Sequence, residues 1–345
     1  MTMNGADGEF ILCLAASHTG DPFLEELANL GCRVVLLTID EHADAGWPTD
    51  AVSELRSMPA GMTLQQITNT VTYLARSRKF ARIIALDNFN VQIAAALREH
   101  LRIPGMGVTT ACYLSDRLAA RLKAAQIGIA VPAFTSVANH DELRHFMQSV
   151  PSPWLLTPRS ESCDFASRQL HESEQVWRAF DELGDYQSGF LLEQSIEGDR
   201  IHVDSLTADS TVVFSSVSPY RASSDGTEAG ELLPVARKLG SKAEIERLRR
   251  ASAALLSSMR MARGVTHTVF LRSHATGEFY FVETSASVDD RCVAEMMRET
   301  HGLNLWREWA KLEVAAMRGQ RYALPSTASA RKTLPSSTDG QHRLA

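Results

Sequence analysis

Phe10–Ala16 is a short apolar run, followed by an amphipathic segment, Pro22–Leu30, that ends at Gly31. A second run, Cys32–Asp40 (CRVVLLTID), is rich in β-branched residues. Leu64–Ala75 has helical spacing, Ala81–Asp87 (ARIIALD) reads as a third strand, and Asn90–Leu101 as a helix that stops before Pro104. Continuous apolar strands alternating with helices predict an open parallel α/β sheet covered on both faces. Ligands of such sheets bind at the carboxyl ends of the strands. The turn after the first run, AASHTGD, carries no G-x-G-x-x-G, which argues against a dinucleotide site.

The pattern changes beyond this unit. Thr110–Ala125 predicts one or two helices, ended by the region of Gly128 and Pro132. Short strands follow at Trp154–Thr157, Gly189–Glu193, His202–Thr207, Thr211–Val217, Thr266–Leu271 and Phe279–Glu283. Helices are expected between them at Asp141–Gln148, Ser173–Leu183 and Lys242–Ala262, with a last one from Leu303 to about Arg318. This is an α+β arrangement of antiparallel strands. The Ser-, Thr- and Pro-rich end, Pro325–Ala345, reads as a disordered tail.

Composition narrows the classes. With 345 residues the chain has room for about two domains, and 44% hydrophobic with 22% charged residues excludes a wholly disordered chain, a collagen and a small disulfide scaffold. A formal charge of −6 supplies no general attraction for nucleic acid or an anionic membrane. The five cysteines are scattered, with no CxxC and no zinc-like spacing, and none has a base beside it in sequence. The polar, acidic start and the shortness of Phe10–Ala16 predict a reduced, cytoplasmic protein without a signal or a membrane span.

Three stretches, taken in order, resemble the ATP-grasp superfamily. PGMGVTTACYLSDRLAARLKAAQIGIAVPAF (104–134) is similar to the helix in which an Asp-Lys pair precedes a G-I-x-V-P segment. FLLEQSIEGDRIHVDSL (190–206) resembles the hinge pattern E-x-x-I-x-G-x-E-x-x-V-D. GVTHTVFLRSHATGEFYFVETSAS (264–287) is similar to the H-T-E-F … F-x-E-T-x-A-R strands that carry metal and phosphate ligands. The resemblance covers roughly residues 10 to 318. It implies an α/β domain at 1–107 and a two-lobed ATP-grasp domain at 108–320, with linker helices at 108–131. The first lobe is then 132–196, the second 197–320, and the tail 321–345.

The resemblance also implies a chemistry. Such proteins activate a carboxylate as an acyl phosphate, which an amine or thiol attacks, so ATP, Mg²⁺ and a small carboxylate of unidentified structure are the expected ligands and a homodimer the expected assembly. Cations must neutralise the triphosphate and carboxylates must hold the metal. Carried over by position, the nucleotide residues are Arg117, Arg159, Glu193, Gln194, Ser195, Ile196 and His202, and the metal residue is Glu283.

Several positions depart from the pattern. Arg117 stands for a phosphate-binding Lys, which keeps the charge. Thr157 replaces the Lys of a K-P-R strand end, with Arg159 as the neighbouring cation. The loop 160–167 lacks the glycines of a flexible lid, and Arg200 stands where an acid is common. Val269 replaces a metal-binding Glu, Ser287 replaces an Arg, and Asp289 and Asp290 replace glycines.

The expected function is therefore nucleotide binding by a protein of ligase ancestry with a degraded Mg²⁺ and phosphate site. If active, it is an ATP-dependent ligase forming C–N or C–S bonds. The alternative is a catalytically inactive structural or partner-binding pseudoenzyme with no nucleotide. Simpler readings stand beside each signal. Glu283 is also a candidate strand-end acid, His267 a core histidine, and Arg117 with Arg121 a solvated basic face. Asp289 and Asp290 read as a helix N-terminal pair, and Trp306 and Trp309 as packing anchors.

Overall fold

The computed structural model describes residues 8–160, 166–222, 232–234, 240–288 and 291–325. Its first unit is a parallel sheet of β1 (Phe10–Ala15), β2 (Arg33–Ile39), β3 (Val52–Met58) and β4 (Phe80–Ala85), in the order β3-β2-β1-β4. The connecting helices are α1 (Asp21–Asn29), α2 (Leu64–Ala75) and α3 (Val91–Leu101). Alternate residues of a strand point to opposite faces, and both faces are apolar here. Leu12, Leu14, Val35 and Leu37 pack with Ile67, Val71, Ala94 and Leu97 of α2 and α3. Ile11, Cys13, Val34 and Leu36 pack with Phe23, Leu24 and Leu27 of α1 and with the C-terminal helix. Each Val, Leu, Ile or Phe among them, fully buried, contributes about 1.5–3 kcal/mol.

Sequence pattern alone does not reveal β3. It is an edge strand with alternating exposed residues, and Glu54 on it pairs with Arg56 and Arg78.

α4 (Val108–Tyr113) and α5 (Arg117–Gln126) follow as separate helices. The break falls at Asp116, whose carboxylate accepts from the N–H groups of Leu118 and Ala119 and so caps α5. An antiparallel sheet of order β5-β8-β6-β7 comes next: β5 (Phe134–Ser136), β6 (Trp154–Pro158), β7 (Arg168–Leu170) and β8 (Phe190–Gln194), with α6 (His140–Ser149) and α7 (Ser173–Leu183) on it. The last sheet, β11-β10-β9-β12-β13, contains β9 (Gly198–Ala208), β10 (Thr211–Ala222), β11 (Leu232–Pro234), β12 (Gly264–Ser273) and β13 (Phe279–Ser285).

Helix α8 (Lys242–Ser258) packs on the last sheet and ends before the predicted Ala262. α9 (Arg291–His301) and α10 (Leu305–Met317) close the order. Trp306 and Trp309 of α10 are buried, with the Trp309 ring 4.7 Å from Phe23, so the C-terminal helix is anchored on the first one. The predicted tail beyond residue 325, most of the lid loop, and Asp289 and Asp290 lie outside the described residues. Among the described residues no helix is long and apolar enough to cross a membrane.

Candidate functional site

Strand β8 leaves the first antiparallel sheet and β9 enters the second, so residues 194–197 form the hinge between them. The hinge is fixed by backbone: Gln194 N–H donates to Ala133 O at 2.8 Å and Ser195 N–H to Pro153 O at 3.0 Å. Gly198 follows because nothing larger fits. A Cβ there would lie 2.2 Å from Arg272 O, where β9 crosses β12. Between the two sheets opens a cleft of about 510 Å³ whose walls include Arg117, Arg121, Thr157, Glu193 to Gly198, Arg200 and Glu283. That is within the roughly 300–1,000 Å³ of ordinary ligand sites.

Charge inside this cleft is paired. Glu193 is 4% exposed and accepts from Thr157 Oγ1 at 2.9 Å and from the guanidinium of Arg121. Arg121, fully buried, also donates to Val282 O at 3.1 Å. A buried carboxylate requires a cation or several donors, and Arg121 supplies the cation that Thr157 does not. One turn earlier on α5, Arg117 donates to Glu283 Oε2 at 2.5 Å and to Pro158 O at 2.8 Å. Burial raises the Glu283 pKa, but Arg117, by charge and hydrogen bond, and Arg200 outweigh it and hold it below the usual range. A solvated basic face is thus not what Arg117 and Arg121 form. Both point into the cleft and meet carboxylates across it.

Of the eight residues expected from sequence, six line this cleft: Arg117, Glu193, Gln194, Ser195, Ile196 and Glu283. Arg159 and His202 are absent from its lining. Arg159 is turned to Asp116, donating from Nε at 3.2 Å and from Nη2 at 2.5 Å in a two-pronged pair that ties the end of β6 to the cap of α5. His202 is fully buried in β9, with Nδ1 2.7 Å from Asp204. Arg121 is the residue that sequence reasoning left out of the site. Its signal is the i, i+4 spacing from Arg117, which puts both on one face of α5.

The ladder of β12 and β13 pairs Val269 directly with Glu283. An acid at 269 would sit beside Glu283 on one face of the sheet, as two metal carboxylates must; Val269 offers no oxygen. Thiol chemistry has no support among the described cysteines. Cys13 and Cys32 are buried and Cys112 half-buried, and burial raises all three thiols, Cys32 to about 11.

A second cleft, of about 630 Å³, lies at the carboxyl end of β1, lined by Ser17, His18, Thr19, Asp21, Arg298 and Trp306 among others. The loops after β1 and β4, which diverge at the switch in strand order, are joined there by Asp87. Its carboxylate accepts from Ala16 N–H at 2.5 Å and from Asn90 N–H at 3.0 Å. Open α/β sheets bind ligands at such a point.

No family profile matches the chain. It is 24% identical over 250 residues to the L-arginine-specific L-amino acid ligase of Bacillus subtilis, a match that covers 68% of this chain and 58% of that ligase. In three dimensions it is similar to an L-amino acid ligase from Bacillus licheniformis, with a TM-score of 0.73 and 16% identity over 89% of this chain and 75% of that one. It is also similar to a biotin carboxylase from Campylobacter jejuni in a β,γ-ATP complex, with a TM-score of 0.73 and 15% identity over 93% and 73% of the two chains.

Proposed function

We propose, for a chain that is by its fold a member of the ATP-grasp superfamily, that the cleft between its two antiparallel sheets binds an adenine nucleotide. The observation that carries this reading is the convergence on one cavity of the hinge with its flanking residues Glu193 and Gly198, two arginines from α5 and Glu283 from β13. The hinge offers extended backbone and the apolar side chain of Ile196 to a base. Arg117 and Arg200, which line the same cavity and both act on Glu283, are placed to neutralise phosphate. For Arg117 to do so, its hydrogen bond to Glu283 must be exchanged for one to the ligand.

The donor set for a divalent ion is thin. Among the described cleft residues Glu193 is committed to Arg121, Glu197 is on the exposed hinge, and Glu283 alone faces Val269 on the sheet. One carboxylate holds Mg²⁺ when nucleotide phosphates complete its oxygen shell. Glu283 fits that part, so Mg²⁺ assists nucleotide binding weakly rather than governing it. Bound there, the ion would neutralise phosphate charge.

If the chain is catalytic, the reaction is an ATP-dependent ligation of a small carboxylate through an acyl phosphate, with the second cleft at the end of β1 as the acid's place. Loss of a single electrostatic contact typically costs about 10²- to 10³-fold in rate, and Val269 and Ser287 remove two. A nucleotide-responsive or empty pseudoenzyme is therefore the second reading, and Val269 opposite Glu283 is the observation that favours it.

Thermal unfolding with ATP and ADP, each with and without Mg²⁺, tests the proposal. A ligand at 100 times its Kd stabilises by about 2.7 kcal/mol, which moves the midpoint by several degrees. The expected result is a shift by both nucleotides that Mg²⁺ enlarges only slightly. No shift with either nucleotide would turn the reading to a partner-binding protein.

A further inference from the structure

Outside the nucleotide contacts, a cluster of two histidines and one aspartate lies beneath the cleft wall. His202 and Asp204 are two apart on β9, so strand geometry puts both on one face. His267 on β12 is the direct ladder partner of Asp204. His202 Nδ1 is 2.7 Å from one oxygen of Asp204, and His267 Nδ1 is 2.6 Å from the other. The two rings stack at 5.2 Å, and all three residues are buried.

We infer that this cluster is a site for a divalent transition-metal ion, with one nitrogen from His202, one from His267 and a carboxylate oxygen from Asp204 as ligands. The candidate ligand atoms lie within 4.8 Å of one another, so a side-chain adjustment of about 1 Å brings them to the roughly 3.3–3.6 Å that separates tetrahedral donors at bond lengths near 2.0–2.2 Å. Two imidazoles with one carboxylate suit Zn²⁺ and its neighbours in the first transition row, whereas Mg²⁺ calls for an all-oxygen shell.

Two further observations separate the cluster from an ordinary buried hydrogen-bond network. First, His202 Nε2 is buried without a hydrogen-bond partner, so the network is not closed, whereas closure is the rule for buried polar groups, and an ion on that nitrogen would close it. Second, the hydroxyl of Tyr220 bonds His267 Nε2. An outer partner on the far ring nitrogen is what orients a metal-bound histidine. When the ion takes Nδ1 of His267, the displaced proton moves to Nε2 and Tyr220 becomes its acceptor, so no atom of that ring is stranded.

The site is adjacent to the cleft wall. His202 pairs with Val269 on the ladder, and Val269 pairs with Glu283. A cation held there brings positive charge beneath Glu283, on the strand where Val269 has removed a carboxylate. The inference stands apart from the nucleotide reading, since the cluster can be loaded with no nucleotide present.

The test is a Co²⁺ titration of the chelator-stripped full chain, followed by Zn²⁺ displacement and metal analysis. The expected result is a visible cobalt absorption band saturating at about one ion per chain, bleached by Zn²⁺ and unaffected by excess Mg²⁺. Asp204→Asn and His202→Gln should each weaken binding by more than about 100-fold, beyond the 10- to 100-fold range of outer-partner losses into which Tyr220→Phe should fall. Circular dichroism of the metal-free variants checks that they fold. If His202→Gln does not, histidine ¹⁵N shifts on adding Zn²⁺ to the wild-type chain read the same contact. Absence of a band and of histidine shifts, or binding unchanged in both ligand variants, would overturn the assignment.

Discussion

Arg117 on α5 and Glu283 on β13 meet at 2.5 Å across the cleft, so the side chain proposed to bind phosphate is neutralised by the one proposed to bind a cation. On the proposed reading, a nucleotide competes with Glu283 for the guanidinium. Glu283→Gln should therefore raise affinity for Mg²⁺-free ADP by about 5- to 10-fold, near 1–1.4 kcal/mol. The same change should remove whatever enhancement Mg²⁺ gives. Calorimetric titration with and without Mg²⁺ measures both effects.

Arg121 is held to be the cation that compensates for Thr157. Removing it leaves Glu193 buried beside a lone hydroxyl, and breaking a buried pair from one side typically costs about 3–5 kcal/mol. Arg121→Met should lower the unfolding midpoint accordingly. Adding Thr157→Lys to that variant should recover part of the loss, because a lysine at 157 restores a cation where the hydroxyl now lies 2.9 Å from Glu193. A double variant no more stable than Arg121→Met would contradict the exchange.

Acid should destabilise the chain through Asp204. Burial raises its pKa, but the charges and hydrogen bonds of His202 and His267 more than reverse that and hold it well below the ordinary carboxylate range. A depressed carboxylate contributes stability above its unfolded pKa of about 3.9, and the contribution is lost as pH falls through the folded value. Metal-free protein should thus lose stability below about pH 4, and Asp204→Asn should flatten that slope. Denaturant midpoints between about pH 6 and pH 2.5 give the comparison.

Gly198 fixes the hinge. A methyl group there meets the backbone of β12 at 2.2 Å, which only movement of a strand can relieve. Gly198→Ala should cost about 1–3 kcal/mol as an overpacked site and weaken nucleotide binding together with stability. Normal ADP affinity in a destabilised Gly198→Ala chain would separate the hinge from the binding site.

Much of this architecture is legible in the sequence. Leu64–Ala75 and Ser173–Leu183 have the helical bounds that their spacing predicts, because each buries a clean apolar stripe. The parallel sheet follows from strands apolar on both faces, whereas β3 escapes because an edge strand needs no apolar run. The hinge residues and Glu283 were legible as a motif, and the structure brings them to one cavity. Side-chain direction was not. Arg159 turns to Asp116 and Arg121 to Glu193, choices set by which carboxylate lies across the fold rather than by spacing. His267 reads in sequence as a core histidine, and its meeting with His202 and Asp204 depends on the β9–β12 register.

The central claim is that the inter-sheet cleft takes an adenine nucleotide through Arg117. Isothermal titration of ADP into the wild-type chain and into Arg117→Ala tests it most directly. The account predicts saturable one-to-one binding to the wild type and a loss of about tenfold or more in the variant, since a charge-assisted contact contributes about 1.5–3 kcal/mol. Absence of binding to the wild type, or equal affinity in the two proteins, would contradict it.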